Sequence, residues 1–545
     1  MGIGMRGVPL RYPYHLYPKK NKSVSGFSCL QTYYTRRKSM QNALTISGNN
    51  LTLDDIYQVS HKHRPVEIEE KSMELLVNTR KLVFELSGRG VPIYGCNRGV
   101  GWNKDKNVTS EMIIRFNSNM MHSHAVGVGP YAPQEDVRAA MLIRLNTVLL
   151  GCTGLSPEIA VLLKEMLNRE IHPLIPERGS VGEADIVNLS FLGLALMGEG
   201  LVNYRGKEIK AKDAFKAEGI EPVTLREKDG LAVISSNAFS AGQAASVLFE
   251  TELLLKTADI IACMSLEGLS GNVSSLREGV HNKRRYNRQT ETAADMRKYL
   301  KGSYLYEPCS GRPLQDPLSY RCVPQVHGAV RTAMDYAASN LTIQCNSSDD
   351  NPCLLYEEGD IASNGNFDPL CWVLGMQNLG IALCHISRLS CLRTIKLASP
   401  GFTGLSRHLT PDEGTIAFST IQKSFANLDA EIRMLAIPVT MNTYSLSGDM
   451  EDISTNAPLV MQKDKKIIDN LFYILAIELL HAGQAMSLRN AGNCGKGTGA
   501  GYKALRRVVD FYDSDNRILS IDIDKAYTLL KSGDFLKSVL NGLED

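Results

Sequence analysis

Apolar residues recur along much of the chain at steps of three and four, the period of a helix with one buried face. Residues 238–269 contain no proline, and Val247, Leu254 and Ile261 follow this period. Similar patterns recur in four later segments, residues 325–345, 369–395, 411–436 and 465–490. Strand-like alternation is rare. The pattern therefore predicts a mainly α-helical bundle.

Two helix starts are marked in the N-terminal half. Thr52 is followed three residues later by Asp55, the arrangement of a capping box. Residues 186–197 are apolar on nearly every side and predict a buried helix. Gly179 and Gly182 allow a tight backbone path into it. The unpaired N–H groups at such a helix start carry partial positive charge, which favours an anion there.

Composition excludes several classes of protein. The 545 residues include 60 Lys and Arg against 58 Asp and Glu, so the basic excess of a nucleic-acid-binding domain is lacking. The twelve cysteines form no Cys-x-x-Cys pair, which argues against a disulfide framework or a zinc site. A reduced, cytoplasmic setting fits this usage best. No continuous apolar run approaches the length of a membrane span.

Residues 1–40 differ in composition from the rest. They contain eight Lys or Arg, four serines and no acid, and the first acid is Asp54. This composition is compatible with an organelle transit peptide. It is equally compatible with a start codon assigned too early, since Met40 shortly precedes the first recognisable pattern. Both interpretations stay open, and we treat residues 1–42 as an extension.

Six segments together carry a family resemblance, with residues 177–186 reading Glu-Arg-Gly-Ser-Val-Gly-Glu-Ala-Asp-Ile. The others are residues 92–101, 123–129, 229–237, 315–325 and 346–352. The combination resembles the aromatic amino acid ammonia-lyases and aminomutases, and histidine ammonia-lyase most in overall pattern. The resemblance implies the elongated helical bundle of the fumarase and aspartase superfamily. It also implies an N-terminal active-site domain over residues 43–237, a bundle over 238–545, and a homotetramer with shared active sites.

The loop at residues 92–101 contains a candidate base. A tyrosine in a glycine-rich loop is most often a packing residue. The resemblance instead gives Tyr94 the role of removing the β-proton of the substrate. Because the free pKa of tyrosine is about 10, that role requires nearby positive potential.

The resemblance also implies a set of substrate-binding residues. Residues 123–129 read Ser-His-Ala-Val-Gly-Val-Gly, which places His124 near the carboxylate or leaving group of the substrate. Residues 315–325 carry Gln315 and Arg321, and the guanidinium fork of Arg321 suits a carboxylate. Read without the family, each of these side chains has a structural explanation, such as a hydrogen-bonded histidine or an arginine in an ion pair.

Two further binding residues follow from later segments. Phe367 lies in a loop that matches the family, although Asp368 replaces the usual histidine. Glu431 precedes Pro438 by seven residues and corresponds to the acid near the substrate's amino group. Glu451 and Asp452 follow the same proline at spacings that also match the family.

Three departures from the family pattern fall together. The family cyclises an Ala-Ser-Gly triplet into the electrophile methylidene-imidazolone (MIO), but residues 183–185 read Glu-Ala-Asp. Ser235 replaces the asparagine that contacts substrate and cofactor, and its hydroxyl cannot span the gap of a carboxamide. Leu318 replaces a catalytic tyrosine, and Tyr320 points another way on a helix. We therefore expect no MIO and no other cofactor.

Glu183 and Asp185 stand where the electrophile would be. They are candidate catalytic acids for protonating a leaving group. Against this, a carboxylate at a helix N-terminus is expected to have a depressed pKa, which makes it a poor general acid. The simpler interpretation is that both acids compensate the helix dipole.

Two functions remain. The first is a lyase that performs elimination on an amino acid or related small carboxylate without MIO, for instance with a leaving group better than ammonium. The second is a non-catalytic subunit that binds a ligand or partners an active paralogue. An ordinary ammonia-lyase is disfavoured on chemical grounds.

Overall fold

The computed structural model describes residues 42–309, 311–412, 414–490 and 493–544. The predicted extension over residues 1–42 lies almost entirely outside them. The described residues contain twenty α-helices. These are α1 Leu53–Lys62, α2 Glu70–Gly88, α3 Ile113–His124, α4 Gln134–Val148, α5 Pro157–Asn168, α6 Ile186–Leu196, α7 Ala211–Glu218, α8 Asp229–Ile234, α9 Ala238–Leu269, α10 Glu278–Asn282, α11 Asn287–Tyr299, α12 Leu318–Arg321, α13 Val323–Gln344, α14 Leu370–Leu397, α15 Pro400–Thr403, α16 Gln422–Leu435, α17 Ala457–Arg489, α18 Lys496–Arg506, α19 Leu519–Lys531 and α20 Asp534–Glu544.

Strands in the described residues are short and form four small sheets. They are β1 Leu44–Ile46, β2 Val66–Ile68, β3 Val128–Tyr131, β4 Ile171–Pro173, β5 Pro176–Arg178, β6 Leu201–Tyr204, β7 Lys207–Lys210, β8 Cys353–Leu355 and β9 Asp360–Ala362. β1 pairs with β2 in parallel, while β3 with β5, β4 with β6, β6 with β7 and β8 with β9 are antiparallel. The mainly helical fold class predicted from the sequence is confirmed.

Three long helices, α9, α14 and α17, run in the same direction through the core. α9 and α17 pack along one another, and α14 packs on α17 and on α13. Near the start of α14, Gly380 lies against Asp464 of α17, and thirteen residues later Arg393 pairs with Glu478 of α17. Because the three helices are parallel, their N-terminal ends meet at one end of the bundle.

A fully buried ion pair holds the middle of this bundle together. The Arg393 guanidinium donates to Glu478 from Nε at 2.6 Å and from Nη2 at 2.8 Å. The hydroxyls of Ser265 on α9 and Ser390 on α14 donate to the same carboxylate at 2.6 and 2.5 Å. Both oxygens of the Glu478 carboxylate thereby accept hydrogen bonds, which is the condition for a buried carboxylate to be tolerated.

Most helices predicted from periodicity are present, and the capping box at Thr52 forms as predicted. The prediction of a helix over residues 411–436 is wrong at its start, because α16 begins only at Gln422. The Asp515 carboxylate accepts hydrogen bonds from the backbone N–H groups of Ile416 and Ala417 at 2.7 and 3.1 Å. These contacts, which no local pattern reveals, hold the preceding backbone out of the helix.

Two helices, α14 and α17, are long and apolar enough by composition to cross a membrane, with mean hydropathy 1.4 over their best windows. Polar residues interrupt both helices, so neither is the continuous apolar run considered in the sequence. In the most apolar window of each helix, 56% of the residues of α14 and 83% of those of α17 are buried inside the fold. Both helices thus have the burial typical of the core helices of a bundle.

Candidate active site

The turn over residues 179–185 leads from β5 into α6 and is tied to the start of α17. Gly182 has φ +84°, and a Cβ there would lie 2.6 Å from Ala457 N and from Thr455 Oγ1. Asn456 N donates to Val181 O at 2.7 Å, and Thr455 Oγ1 donates to Gly182 O at 3.0 Å. Only glycine permits both the left-handed backbone and this close approach.

Asp185 anchors the end of this turn. Its carboxylate is fully buried and accepts hydrogen bonds from Ser240 N at 2.7 Å, Ser240 Oγ at 2.8 Å and Ser180 Oγ at 3.2 Å. Burial raises its pKa to about 6, although the hydrogen bonds from Ser240 act in the opposite direction. Both oxygens are engaged by the protein, so Asp185 joins the turn to the start of α9 rather than facing a ligand.

Residues 183–185 do not fit the precursor of MIO. Cyclisation requires a free backbone nitrogen at the third position and a serine hydroxyl at the second. Here Asp185 N donates to Ser236 O at 2.7 Å, and the second position is Ala184, in a left-handed conformation with φ +66°. The backbone nitrogen is therefore engaged in a hydrogen bond, and Ala184 carries no hydroxyl that could leave.

Glu183 is half-buried and lies in a group of carboxylates. Burial, together with the negative charges of Glu451, Asp368 and Asp452, raises its pKa to about 7. Its Oε1 atom is buried and has no hydrogen-bond partner within the described part of the chain. The depressed pKa expected from the helix N-terminus is therefore wrong for both Glu183 and Asp185, because burial, and for Glu183 also like charges, outweigh the helix dipole.

Tyr94 is influenced by Glu451, one of these carboxylates. Its hydroxyl accepts a hydrogen bond from Gly101 N at 2.7 Å. Burial raises the pKa of Tyr94, the Gly101 N–H lowers it, and the charge of Glu451 raises it again. The positive potential that a tyrosine base requires is thus not supplied by the neighbours that shift its pKa. A cation bound at this position would supply it.

Two loops bring Tyr94 and Glu451 together. A Cβ at Gly448 would collide with the Trp102 ring, and one at Gly101 would lie 2.8 Å from Ser447 Oγ. The loop after Tyr94 therefore packs directly on the loop before Glu451. The second loop is closed by Leu446 and Glu451, whose backbones exchange hydrogen bonds at 2.8 and 3.2 Å.

Helix N-termini converge on the same region. Asp185 at the start of α6 contacts α9, and the start of α17 contacts Gly182. Asn237, just before α9, donates from Nδ2 to Phe367 O at 2.5 Å. At the start of α14, the Asp368 carboxylate accepts a hydrogen bond from Leu370 N at 2.8 Å. The partial positive charges of these helix ends offset part of the negative charge of the carboxylates.

The turn that contains Ser235 and Asn237 is hydrogen-bonded to a buried, charged residue. Asp349 accepts from Asn237 N at 2.8 Å and from Ser236 Oγ at 3.0 Å. Arg144 lies 3.6 Å from this carboxylate. Ser235 Oγ accepts from Asn351 N at 3.3 Å. The Ser235 hydroxyl is therefore used by the protein backbone.

Four other predicted residues have their contacts elsewhere. His124 Nδ1 lies 2.8 Å from Met120 O at the end of α3, and Arg321 Nε donates to Asp316 O at 2.7 Å. Glu431 Oε2 accepts from Asn470 at 2.9 Å, and Gln315 is exposed. In the described ranges, none of the hydrogen bonds or ion pairs of these four residues reaches Tyr94 or Glu183. Tyr320 is buried and donates to Arg393 O, which confirms that it does not replace the tyrosine missing at Leu318.

Glu451 is not among the site residues predicted from the sequence, although its spacing after Pro438 follows the family. Both Glu451 and Glu431 lie at such spacings, and spacing alone cannot say which acid lies near Tyr94. The Glu451 loop packs on the Tyr94 loop through Gly448 and Trp102, and the charge of Glu451 raises the pKa values of Tyr94 and Glu183. The sequence marks Asp368 only as a replacement for a histidine.

A model of the family described as aromatic amino acid lyase matches residues 51–507. Histidine ammonia-lyase 2 of Fusobacterium nucleatum is 34% identical over 504 residues, which cover 92% of this chain and 98% of that protein. The histidine ammonia-lyase of a Geobacillus strain is 35% identical, covering 90% and 97%. Among solved structures, ergothionase of Treponema denticola, an ergothioneine-degrading enzyme crystallised with desmethyl-ergothioneine sulfonic acid, is 44% identical. Its TM-score is 0.89, with coverage of 91% of this chain and 99% of that one.

Proposed function

This chain belongs to the aromatic amino acid lyase family, and on that premise we propose that it eliminates a tertiary amine from a histidine-derived betaine such as ergothioneine, without MIO. Family membership supports a lyase that acts on a histidine-like or aromatic amino acid. The nature of the leaving group is the further step that we propose.

The observation that carries the proposal is the group of carboxylates around Glu183. An electrophile such as MIO serves by forming a bond to the substrate, which turns a poor leaving group into a better one. A trimethylammonium group has no lone pair with which to form that bond. It already carries a positive charge, and it leaves as a neutral amine. Glu183, Asp368, Glu451 and Asp452 provide negative charge that stabilises such a cation.

The similarity to ergothionase supports the same class of substrate. Ergothioneine is a betaine of a thiohistidine, so its α-nitrogen carries three methyl groups and a permanent charge. The identity of 44% over 91% of this chain exceeds that to the histidine ammonia-lyases reported above. A histidine-like ring explains the family resemblance, and a quaternary nitrogen explains the departures from it.

In the proposed reaction, Tyr94 removes the proton from the carbon next to the imidazole ring. The electron pair forms the Cα=Cβ bond, the Cα–N bond breaks, and the tertiary amine departs with the electrons of that bond. The bound cation lowers the pKa of Tyr94, which burial and Glu451 otherwise raise. Because the amine leaves neutral, the reaction needs no proton from Glu183. Glu183 therefore acts as a counter-ion rather than a general acid.

We also propose that the active chain is a homotetramer with sites shared between subunits. Leu314 and Leu318, beside the predicted binding residues Gln315 and Arg321, are 89% and 64% exposed. Met441 and Tyr444, in the segment that leads to Glu451, are 79% and 80% exposed. Burial of such apolar residues against other subunits favours assembly. It also explains why Arg321 has no contact with Tyr94 within one chain.

The test is an assay of the purified full-length protein with ergothioneine and, separately, with histidine, phenylalanine and tyrosine. We expect a tertiary amine from ergothioneine, no ammonia from the amino acids, and an intact mass that shows no loss of water. Ammonia release together with a mass lower by two water molecules would refute the proposal and indicate an ordinary ammonia-lyase. Stabilisation by ergothioneine without turnover would refute it in favour of the non-catalytic subunit.

A further inference from the structure

Two cysteines far apart in the sequence lie side by side near the active site. Cys152 is in the turn after α4, and Cys353 begins β8. The backbone of the two segments is joined by a hydrogen bond from Leu354 N to Cys152 O at 2.8 Å. Cys152 Sγ donates to Leu150 O at 3.7 Å and Cys353 Sγ to Leu354 O at 3.8 Å, the two side chains influence one another, and both residues are half-buried. The backbone contact holds the thiols in this pairing.

We propose that Cys152 and Cys353 form a dithiol that a peroxide oxidises to a disulfide. The Cys152 thiolate attacks one peroxide oxygen, which breaks the O–O bond and gives a sulfenic acid and, after protonation, a water or alcohol. The sulfur of Cys353 then attacks the Cys152 sulfur, and the second oxygen leaves as water. The two thiols lose two electrons and the peroxide gains two. Hydrogen-bonded backbone segments that bring two cysteines side by side favour such a step.

The chemistry of the two thiols fits their different roles. Interaction with the Cys353 side chain lowers the pKa of Cys152 to about 7, against the burial that would raise it. The same interaction raises the pKa of Cys353. Cys152 therefore carries the thiolate at neutral pH and attacks first, while Cys353 keeps its proton until the sulfenic acid forms.

Burial raises the pKa of six other cysteines in the described ranges, which keeps them as unreactive thiols: Cys96, Cys263, Cys345, Cys384, Cys391 and Cys494. Cys309 is exposed and serves as a control for a cysteine outside the pair.

The two cysteines also lie next to the segment that holds the active-site turn in place. Asp349 and Asn351, just before Cys353, bind the backbone and side chains of residues 235–237. A disulfide would tie the end of this supporting segment to the turn after α4. The inference does not depend on the proposed substrate, since it can be tested without turnover.

The experiment treats the full-length protein with hydrogen peroxide, alkylates the remaining thiols and maps linked peptides by mass spectrometry. We expect a Cys152–Cys353 linkage with the loss of two hydrogen atoms, reversed by dithiothreitol. The C309S variant should behave as wild type, and the C353S variant should accumulate an oxidised, unlinked Cys152.

Two results would overturn the inference. They are a linkage between other cysteines only, and sulfinic acid at Cys152 in the wild type without linkage. The C152S variant provides a second check, because Cys353 in it should stay reduced under the same peroxide. Rapid oxidation of Cys353 in that variant would contradict the assigned order of attack.

Discussion

Replacement of Glu183 by glutamine tests the counter-ion role most directly. Two unit charges 5 Å apart interact by about 3 kcal/mol at an effective dielectric constant of 20. Glu183 is half-buried, so solvent screening reduces this to about 1.4 kcal/mol, a factor of ten in affinity. For E183Q at pH 8 we therefore expect kcat/KM for ergothioneine to fall about tenfold.

The pH profile makes this prediction sharper. In the free wild-type protein the pKa of Glu183 is about 7, so below that pH the carboxyl must lose its proton before it can pair with a cation. Protonation of Glu183 should remove the same tenfold advantage, so the ratio of wild-type to E183Q kcat/KM should fall from about ten at pH 8 to about one well below pH 7. E183Q cannot titrate at this position. Tyr94 must lose its proton to act as the base, but its titration affects both proteins alike and cancels in the ratio.

Stability gives an independent measure of the same group. The folded-state pKa of Glu183 lies above its ordinary value of 4.5, so between pH 4.5 and 7 the folded protein holds more protons than the unfolded chain. The free energy of unfolding contributed by this group therefore falls as pH rises through that window. After discounting for solvent screening, E183Q should be more stable than wild type by about 1 kcal/mol at pH 8 and equal to it at pH 4.

The assay is tertiary-amine release between pH 5.5 and 9, paired with thermal unfolding at pH 4 and 8. The exposed strand residue Glu208 supplies the matched control, because E208Q makes the same chemical change away from the site. If the ratio of wild-type to E183Q kcat/KM stays constant from pH 5.5 to 9, or if E208Q loses as much activity, the counter-ion role is refuted.

Three further predictions concern other parts of the fold. Y94F should lower kcat for amine release about 10²- to 10⁴-fold with little change in thermal stability, because the hydroxyl accepts a single hydrogen bond from Gly101; unchanged turnover would exclude Tyr94 as the base. E478A should destabilise the protein by about 3–5 kcal/mol in urea, since it leaves the buried Arg393 charge unpaired; a loss below 1 kcal/mol would contradict this. G182A should destabilise by more than about 1 kcal/mol, because its φ is +84° and its Cβ would meet the start of α17; a stable variant with wild-type Tm would show that the turn can move.

The sequence predicted the helices that carry strong periodicity, because burial of an apolar face leaves a local signature. α9 begins and ends where residues 238–269 indicated, and the buried helix after Gly182 is present as α6. The late start of α16 was missed, since the Asp515 contacts that delay it come from nearly a hundred residues away.

By itself, the sequence determined the family resemblance, the helical fold and the loss of the residues that form MIO, because each of these depends on residue identity and local pattern. Which acid faces Tyr94 was decided only by the tertiary structure, which brought the Glu451 loop onto the Tyr94 loop through Gly448 and Trp102. The tertiary structure likewise decided that the pKa of Glu183 is raised. Burial and charge from distant segments set a pKa, and they overrode the helix N-terminus that the local sequence predicted would lower it.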